Sequence, residues 1–219
     1  MGRITRAEMI QYLKLYFIFG SQNTTQLPEQ VVKEAIAGGI TLFQYREKGE
    51  GSKAGAEKEE LARKLQEICR QNGIPFIVND DIDLAVQLNA DGLHIGQEDI
   101  GAKEARKMMG DKILGVSAYT IDEGLEAAED GADYLGLGPI YATGSKDDAA
   151  EETGPQVITL FRKMGIKTPI VGIGGIYEDN IDEVMKSGSD GISIISAIAS
   201  APSPFESARN LKKRIENYL

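Results

Sequence analysis

Short apolar runs alternate with amphipathic stretches from one end of the chain to the other. The runs read 15-LYFIF-19, 40-ITLFQYR-46, 74-IPFIV-78, 91-DGLHI-95, 113-ILGV-116, 133-DYLGL-137, 169-PIVGI-173 and 190-DGISII-195. Nearly continuous apolar runs of this length describe strands covered on both faces, as in a parallel sheet. Between them the spacing predicts helices over 29–37, 54–72, 82–89, 101–109, 121–130, 155–164, 178–187 and 203–218. Leu61, Leu65 and Ile68 share one helical face in the second of these, and Leu125 and Ala128 follow the same period in the fifth. Gly39, Gly73, Gly110, Gly131 and Gly188 stand where helices should end, because a left-handed terminal residue is easiest for glycine. Several are followed closely by Asp and a β-rich run, as in 130-DGADYLGL-137 and 187-SGSDGISII-195.

Eight strand–helix repeats in 219 residues fit an α/β fold of the TIM (β/α)8 barrel type. An open doubly wound sheet would need fewer strands, or a Gly-x-Gly-x-x-Gly turn after the first strand. The segment there is 20-GSQNTT-25. No Pro/Gly/Ser-rich linker or charge block divides the chain, so the expectation is a single domain over 1–219 with a short N-terminal extension, 1–13.

Composition narrows the function classes. With 42% hydrophobic and 26% charged residues the chain has ordinary globular composition. A formal net charge of -10 disfavours nucleic acid and anionic membrane as partners, yet leaves room for an anionic small molecule in a locally positive cleft. The lone cysteine, Cys69, excludes an internal disulfide, suits a reducing compartment and reads as a buried or idle thiol. The apolar run 15–19 is too short for a signal core or a membrane span, and a cytoplasmic location is expected. A homo-oligomer is compatible with the sequence.

In a barrel, chemistry belongs at the C-terminal ends of the strands. Those positions hold Gln44, Arg46 and Lys48 after strand two, Asn79 and Asp80 after strand three, and Gln97 and Asp99 after strand four. Ser117 follows strand five, Thr143, Ser145 and Lys146 follow strand six, Gly174 and Gly175 strand seven, and Ser196 strand eight. Cations, two separate Asp-bearing loops and small-residue turns make a coherent set for phosphate chemistry with Mg2+, which one or two carboxylates plus substrate phosphate usually hold. Plainer readings stand beside these. One of Asn79, Asp80 and Asp81, or Asp99, could cap the following helix, and Gly174-Gly175 could be only a turn. His94 is the single histidine and reads as a packed, hydrogen-bonded residue inside strand four rather than a general base. The loop 138-GPIYATGSKDD-148 is no P-loop: Thr143 stands where the second Gly belongs, and Ser145 and Lys146 come in the wrong order. With no second histidine and no paired cysteine, hydrolytic nucleophile chemistry has little support.

The strings 44-QYREK-48, 77-IVNDD-81, 91-DGLHIGQED-99, 115-GVSA-118, 133-DYLGLGPIYATGSK-146, 170-IVGIGGI-176 and 191-GISIISAI-198 resemble the thiamin-phosphate synthase family along nearly the whole chain. That resemblance implies a TIM-barrel transferase of thiamine biosynthesis that uses Mg2+ and two phosphorylated small molecules, a pyrimidine diphosphate and a thiazole phosphate. It implies that Gln44, Tyr45, Arg46, Glu47, Lys48, Asn79, Ser117 and Lys146 contact the pyrimidine diphosphate, with Arg46, Lys48, Ser117 and Lys146 taking part in catalysis. Asp80 and Asp99 would hold the metal, and Thr143, Gly144, Ser145, Gly175, Ile195 and Ser196 the thiazole phosphate. Ala142 departs from the family's usual Pro and 147-DDAAEE-152 is unusually acidic, which bears on the rigidity of that loop. A related thiazole tautomerase would want a histidine in the strand-five loop, which reads 117-SAYT-120. A non-catalytic phosphate-ligand sensor would not need the full set of cations and carboxylates. A Schiff-base aldolase would want a lysine inside an apolar strand.

Overall fold

A computed structural model describes residues 2–144 and 151–218. Eight parallel strands close into a barrel in sequence order: β1 Leu15–Phe19, β2 Leu42–Tyr45, β3 Phe76–Asn79, β4 Gly92–Ile95, β5 Ile113–Ala118, β6 Tyr134–Leu137, β7 Ile170–Ile173 and β8 Gly191–Ile194. Closure pairs β1 with β8, Tyr16 opposite Ser193 and Phe17 opposite Ile194. The helices are α1 Arg6–Leu13, α2 Pro28–Gly38, α3 Gly55–Gln71, α4 Ile82–Gln87, α5 Ala102–Met109, α6 Ile121–Glu129, α7 Gln156–Lys163, α8 Ile181–Lys186, a four-residue α9 Ser196–Ala199 and α10 Pro204–Ile215. The expected strands and helices are all present, with no end shifted by more than three residues.

Strand residues alternate between two cores, as the period of two requires. Leu15, Phe17, Phe19, Phe43, Tyr45, Phe76 and Val78 face outward against the helices. Tyr16, Ile18, Leu42, Ile77, Ile113, Tyr134 and Val171 form a separate cluster in the barrel interior.

Two features depart from the sequence reading. The segment expected as an extension contains α1, whose Met9 and Leu13 join that interior cluster and close the lower end of the barrel. Its start is a capping box in which Thr5 accepts from the Glu8 N–H while Glu8 reaches back to the Thr5 N–H, the Thr-x-x-Glu pattern being present in 5-TRAE-8. The second feature is a repeated tie across the strand starts. Asp91 accepts from the Phe76 N–H at 2.9 Å, Asp133 from Leu114 at 2.9 Å and Asp190 from Ile170 at 2.8 Å. Each Asp lies two residues after a positive-φ residue (Asn89, φ 48°; Gly131, φ 99°; Gly188, φ 99°). The Gly-x-Asp or Asn-x-Asp spacing therefore marks a helix end plus a side-chain bond to the neighbouring strand. Arg106 reinforces Asp133 at 2.6 Å, and Arg162 pairs with Asp190 in the same way.

Candidate active site

The upper end of the barrel opens into a cavity of about 780 Å³. Arg46, Lys48, Asn79, Asp80, Asp99, Ser117, Thr143, Gly175, Ile195 and Ser196 all line it, together with His94 and Gln97. Gly144 lines an adjoining hollow that shares Arg46, Lys48, Thr143, Ile195 and Ser196. Ser145 and Lys146 lie outside the described residues.

Asp80 directly follows β3 in a left-handed conformation, φ 60°, an uncommon state that Asp tolerates better than most residues. Its backbone N–H donates to the His94 carbonyl at 2.8 Å, which anchors the strand end, and its carboxylate accepts from Lys48 Nζ at 2.8 Å. The next residue, Asp81, is the helix cap, accepting from the Leu84 N–H at 3.0 Å. The three-residue polar run thus divides its work, and Asp80 is left for the cavity. Asp99 is not a cap: the cap of α5 is Gly101, and Asp99 accepts from the Gly96 N–H at 2.7 Å. Burial raises the Asp99 pKa, the Gly96 bond opposes that, and the neighbouring Asp80 carboxylate raises it further. Among the described residues no group of three or more His, Cys, Asp and Glu side chains could hold a metal alone. Two adjoining carboxylates, one resisting ionisation, nevertheless suit a hard divalent cation that takes its remaining ligands from phosphate and water.

On the far side, the loop after β6 lies against the loop after β7. Ile140 N–H donates to the Ile173 carbonyl at 2.8 Å and Tyr141 N–H to Gly174 at 3.1 Å. A Cβ on Gly174 would stand 2.6 Å from Pro139 Cβ, and one on Gly175 2.6 Å from the Ala142 carbonyl. Loop packing alone therefore accounts for both glycines, while Gly175 also reaches the cavity wall. Ser196 Oγ is 3.0 Å from the Tyr177 hydroxyl.

Three residues of the 44–48 run do not face the cavity. Gln44 is buried in the barrel interior, where its Nε2 donates to the Tyr16 hydroxyl at 2.5 Å. Tyr45 points outward, donates to the Lys58 carbonyl at 2.9 Å and stacks on Phe76. Glu47 is buried and accepts from the Ser21 N–H at 2.8 Å and the Lys53 N–H at 2.7 Å, pinning the loop that carries Lys48. Alternation along β2 puts the Tyr45 side chain on the helix side. His94 is hydrogen-bonded within the barrel, as expected, to Tyr134 through Nδ1 at 2.9 Å and to Ser117 through Nε2 at 3.0 Å. Tyr16 and Tyr134, whose hydroxyls are 2.7 Å apart, were not among the candidate residues, because a Tyr inside an apolar run reads as core.

A closed parallel barrel whose mouth combines cations, paired carboxylates and hydroxyl-bearing loops defines an enzyme built to handle phosphorylated small molecules. The family model described as thiamine monophosphate synthase matches residues 15–198. The chain is 56% identical over 211 residues to the thiamine-phosphate synthase of Geobacillus thermodenitrificans, covering 96% of each. It is 51% identical over 219 residues to that of Bacillus mycoides, covering 100% of each. Among solved structures, the thiamine phosphate pyrophosphorylase from Pyrococcus furiosus superposes with a TM-score of 0.86 at 34% identity, with 96% of this chain and 99% of that chain covered. The chain belongs to the thiamine monophosphate synthase family, and is a transferase of thiamine biosynthesis. Among the described residues no helix is long and apolar enough to cross a membrane.

Proposed function

We propose that the cavity joins 4-amino-2-methyl-5-(diphosphooxymethyl)pyrimidine to a plain or carboxylated thiazole phosphate, releasing thiamin phosphate and pyrophosphate, with CO2 as a third product where the thiazole carries the carboxylate. The observation that carries this reading is the division of one cavity. Arg46, Lys48, Asp80 and Asp99 lie on the side of β2 to β4, and Thr143, Gly175, Ile195 and Ser196 belong to the loops after β6, β7 and β8. Two anionic ends can therefore be held at once.

In the reaction, the bond between the pyrimidine methylene carbon and its diphosphate oxygen breaks, and the electron pair leaves with pyrophosphate. The electron-rich aminopyrimidine carries the methylene cation until the thiazole nitrogen donates its lone pair and forms the new C–N bond. No protein nucleophile takes part. Mg2+ held by Asp80 and Asp99 would supply Lewis-acid neutralisation of the phosphate charge. Arg46 and Lys48, with Lys146 by resemblance, stabilise the negative charge that grows on the departing group. Asn79 and Ser117 orient the pyrimidine, and Thr143, Gly144, Ser145, Gly175, Ile195 and Ser196 hold the thiazole phosphate. Gln44, Tyr45 and Glu47 act behind the wall, through Tyr16, through outer packing and through the Lys48 loop. Holding the two reactants in line accounts for much of the acceleration, and an enclosed site keeps water from trapping the cation.

The test is incubation of the chain with both substrates and Mg2+, followed by separation of products. Thiamin phosphate and pyrophosphate should form in equal amounts and only when both substrates are present. No product, with or without the metal, refutes the reading.

A further inference from the structure

A string of polar side chains runs through the otherwise apolar barrel interior and ends at the cavity. Gln44 Nε2 lies 2.5 Å from Tyr16 Oη, which lies 2.7 Å from Tyr134 Oη. Tyr134 Oη lies 2.9 Å from His94 Nδ1, and His94 Nε2 lies 3.0 Å from Ser117 Oγ. Tyr16 and Gln44 are 1% exposed and Tyr134 is 0% exposed, and Ile18, Leu42, Ile77, Ile113 and Val171 belong to the same interior cluster as the two tyrosines. Water therefore has no access to the inner links. Backbone shape is fitted to the string: Gly115 lies opposite both His94 and Tyr134 in register, and a Cβ there would overlap the Tyr134 ring and stand 2.5 Å from His94 Nδ1.

Such a string has a direction. An amide NH2 only donates, so the Tyr16 oxygen accepts from Gln44 and spends its single proton on Tyr134. Tyr134 in turn spends its proton on His94 Nδ1. The neutral imidazole then carries its one proton on Nε2 and donates it to Ser117 Oγ, so the Ser117 proton is directed to an acceptor in the cavity. Burial keeps both phenols protonated by raising their pKa values. Were the string reversed, Ser117 would donate its hydrogen bond to His94 Nε2 and turn its lone pairs to the cavity, the arrangement of a nucleophile with an adjacent base.

We infer that the Gln44–Tyr16–Tyr134–His94 string sets the polarity of Ser117, making its hydroxyl a hydrogen-bond donor to the bound pyrimidine diphosphate and denying it a nucleophile's role. Tyr134 and His94 are positioning residues, and the inference rests on the synthase reading for the identity of the acceptor. It explains why a Ser–His contact in the cavity does not carry nucleophilic chemistry: Nε2 is the donor, not the base.

The chain has one histidine, so a long-range 1H–15N correlation spectrum of histidine-labelled protein reads the tautomer without assignment. At neutral pH, before substrate is added, the ring should be protonated on Nε2 and bare on Nδ1. A ring protonated on Nδ1 overturns the inference, whatever the activity assay shows. Tyr134→Phe keeps the ring and removes the link; where it fails to fold, Tyr16→Phe removes the link before it. The variant should show mixed tautomers and a kcat lowered about tenfold, the order expected for one misdirected hydrogen bond, with the KM for thiazole phosphate unchanged. An unaltered tautomer together with an unaltered kcat overturns the inference. Failure of the wild-type chain to make thiamin phosphate would remove the synthase reading and leave the tautomer result to decide the string's direction.

Discussion

Replacing Gly115 by Ala adds a single methyl group at the point where two of the string's side chains meet. Strand register places Gly115 between His94 on β4 and Tyr134 on β6. The new Cβ would overlap Tyr134 Cζ and its hydroxyl and would stand 2.5 Å from His94 Nδ1. Tyr134 is fully buried and cannot swing into solvent, and His94 could move only by leaving Tyr134 and Ser117. Overpacking a rigid core costs about 1–3 kcal/mol. Moving the Tyr134 hydroxyl off its partners strands buried polar groups at about 1–3 kcal/mol more. The combined loss should be about 2–6 kcal/mol, roughly a 4–24 °C fall in Tm for a chain of this size. Gly136→Ala is the matched control, because its Cβ would meet nothing closer than His94 Cε1 at 3.4 Å; it should cost less than about 1 kcal/mol. Urea unfolding followed by circular dichroism measures both at constant m. Equal effects of the two substitutions, or a Gly115→Ala loss below about 1 kcal/mol, would refute the argument that the string is sterically locked.

Three further outcomes follow from the structure. Asp80→Ala and Lys48→Ala should each lower turnover at least about a hundredfold with the circular dichroism spectrum unchanged; near-normal turnover in steady-state assays would remove both from the machinery. Asp133→Ala takes the carboxylate partner from Arg106 (2.6 Å), from Arg3 (2.8 Å) and from the Leu114 N–H (2.9 Å). It should destabilise the chain by about 3 kcal/mol, read as a lower urea midpoint, and leave the kcat of the folded enzyme intact. Burial raises the Cys69 pKa, with Asp91 adding to the effect, and burial likewise raises Tyr16 and Tyr134. Folded-state values above the unfolded ones mean full stability below about pH 9 and loss as pH rises beyond it. Melting temperatures should therefore fall above that pH, and a thiol reagent at pH 8 should label Cys69 only on unfolding; rapid labelling of the native chain would contradict the burial.

The barrel itself was legible in the chain because each strand is apolar on both faces and each helix carries a 3.6-residue period, both local signals. Cavity residues such as Arg46, Asp80, Asp99 and Ser196 were legible for a second local reason: they sit within the first four places past a strand end. What escaped depends on distance in sequence. Tyr16 and Tyr134 are 118 residues apart, and only strand register shows that their hydroxyls meet. Tyr45 and Glu47 entered the ligand set through the family resemblance; that Tyr45 bonds the Lys58 carbonyl and Glu47 the Ser21 and Lys53 N–H groups depends on contacts the sequence does not display. Helix α1 carries a local signature in 5-TRAE-8, but an eight-residue helix offers too few apolar positions to stand out from an extension.

The placement of the polar groups along the barrel axis has a common logic. At the lower end, Asp91, Asp133 and Asp190 each fasten one strand to the start of the next, and α1 covers the opening with Met9 and Leu13. These contacts fix where each strand begins, and a four- to six-residue strand is too short to lose that register before it reaches the mouth. Asp80 and Ser117 inherit their positions from it. A barrel tied below can hold the Lys48–Asp80 contact and the directed Ser117 hydroxyl in place without making the loops above rigid. Loosening a lower tie should therefore reduce stability before it disturbs chemistry, whereas a change within the interior string should disturb both together, because that string runs from the buried core to Ser117 at the reacting end.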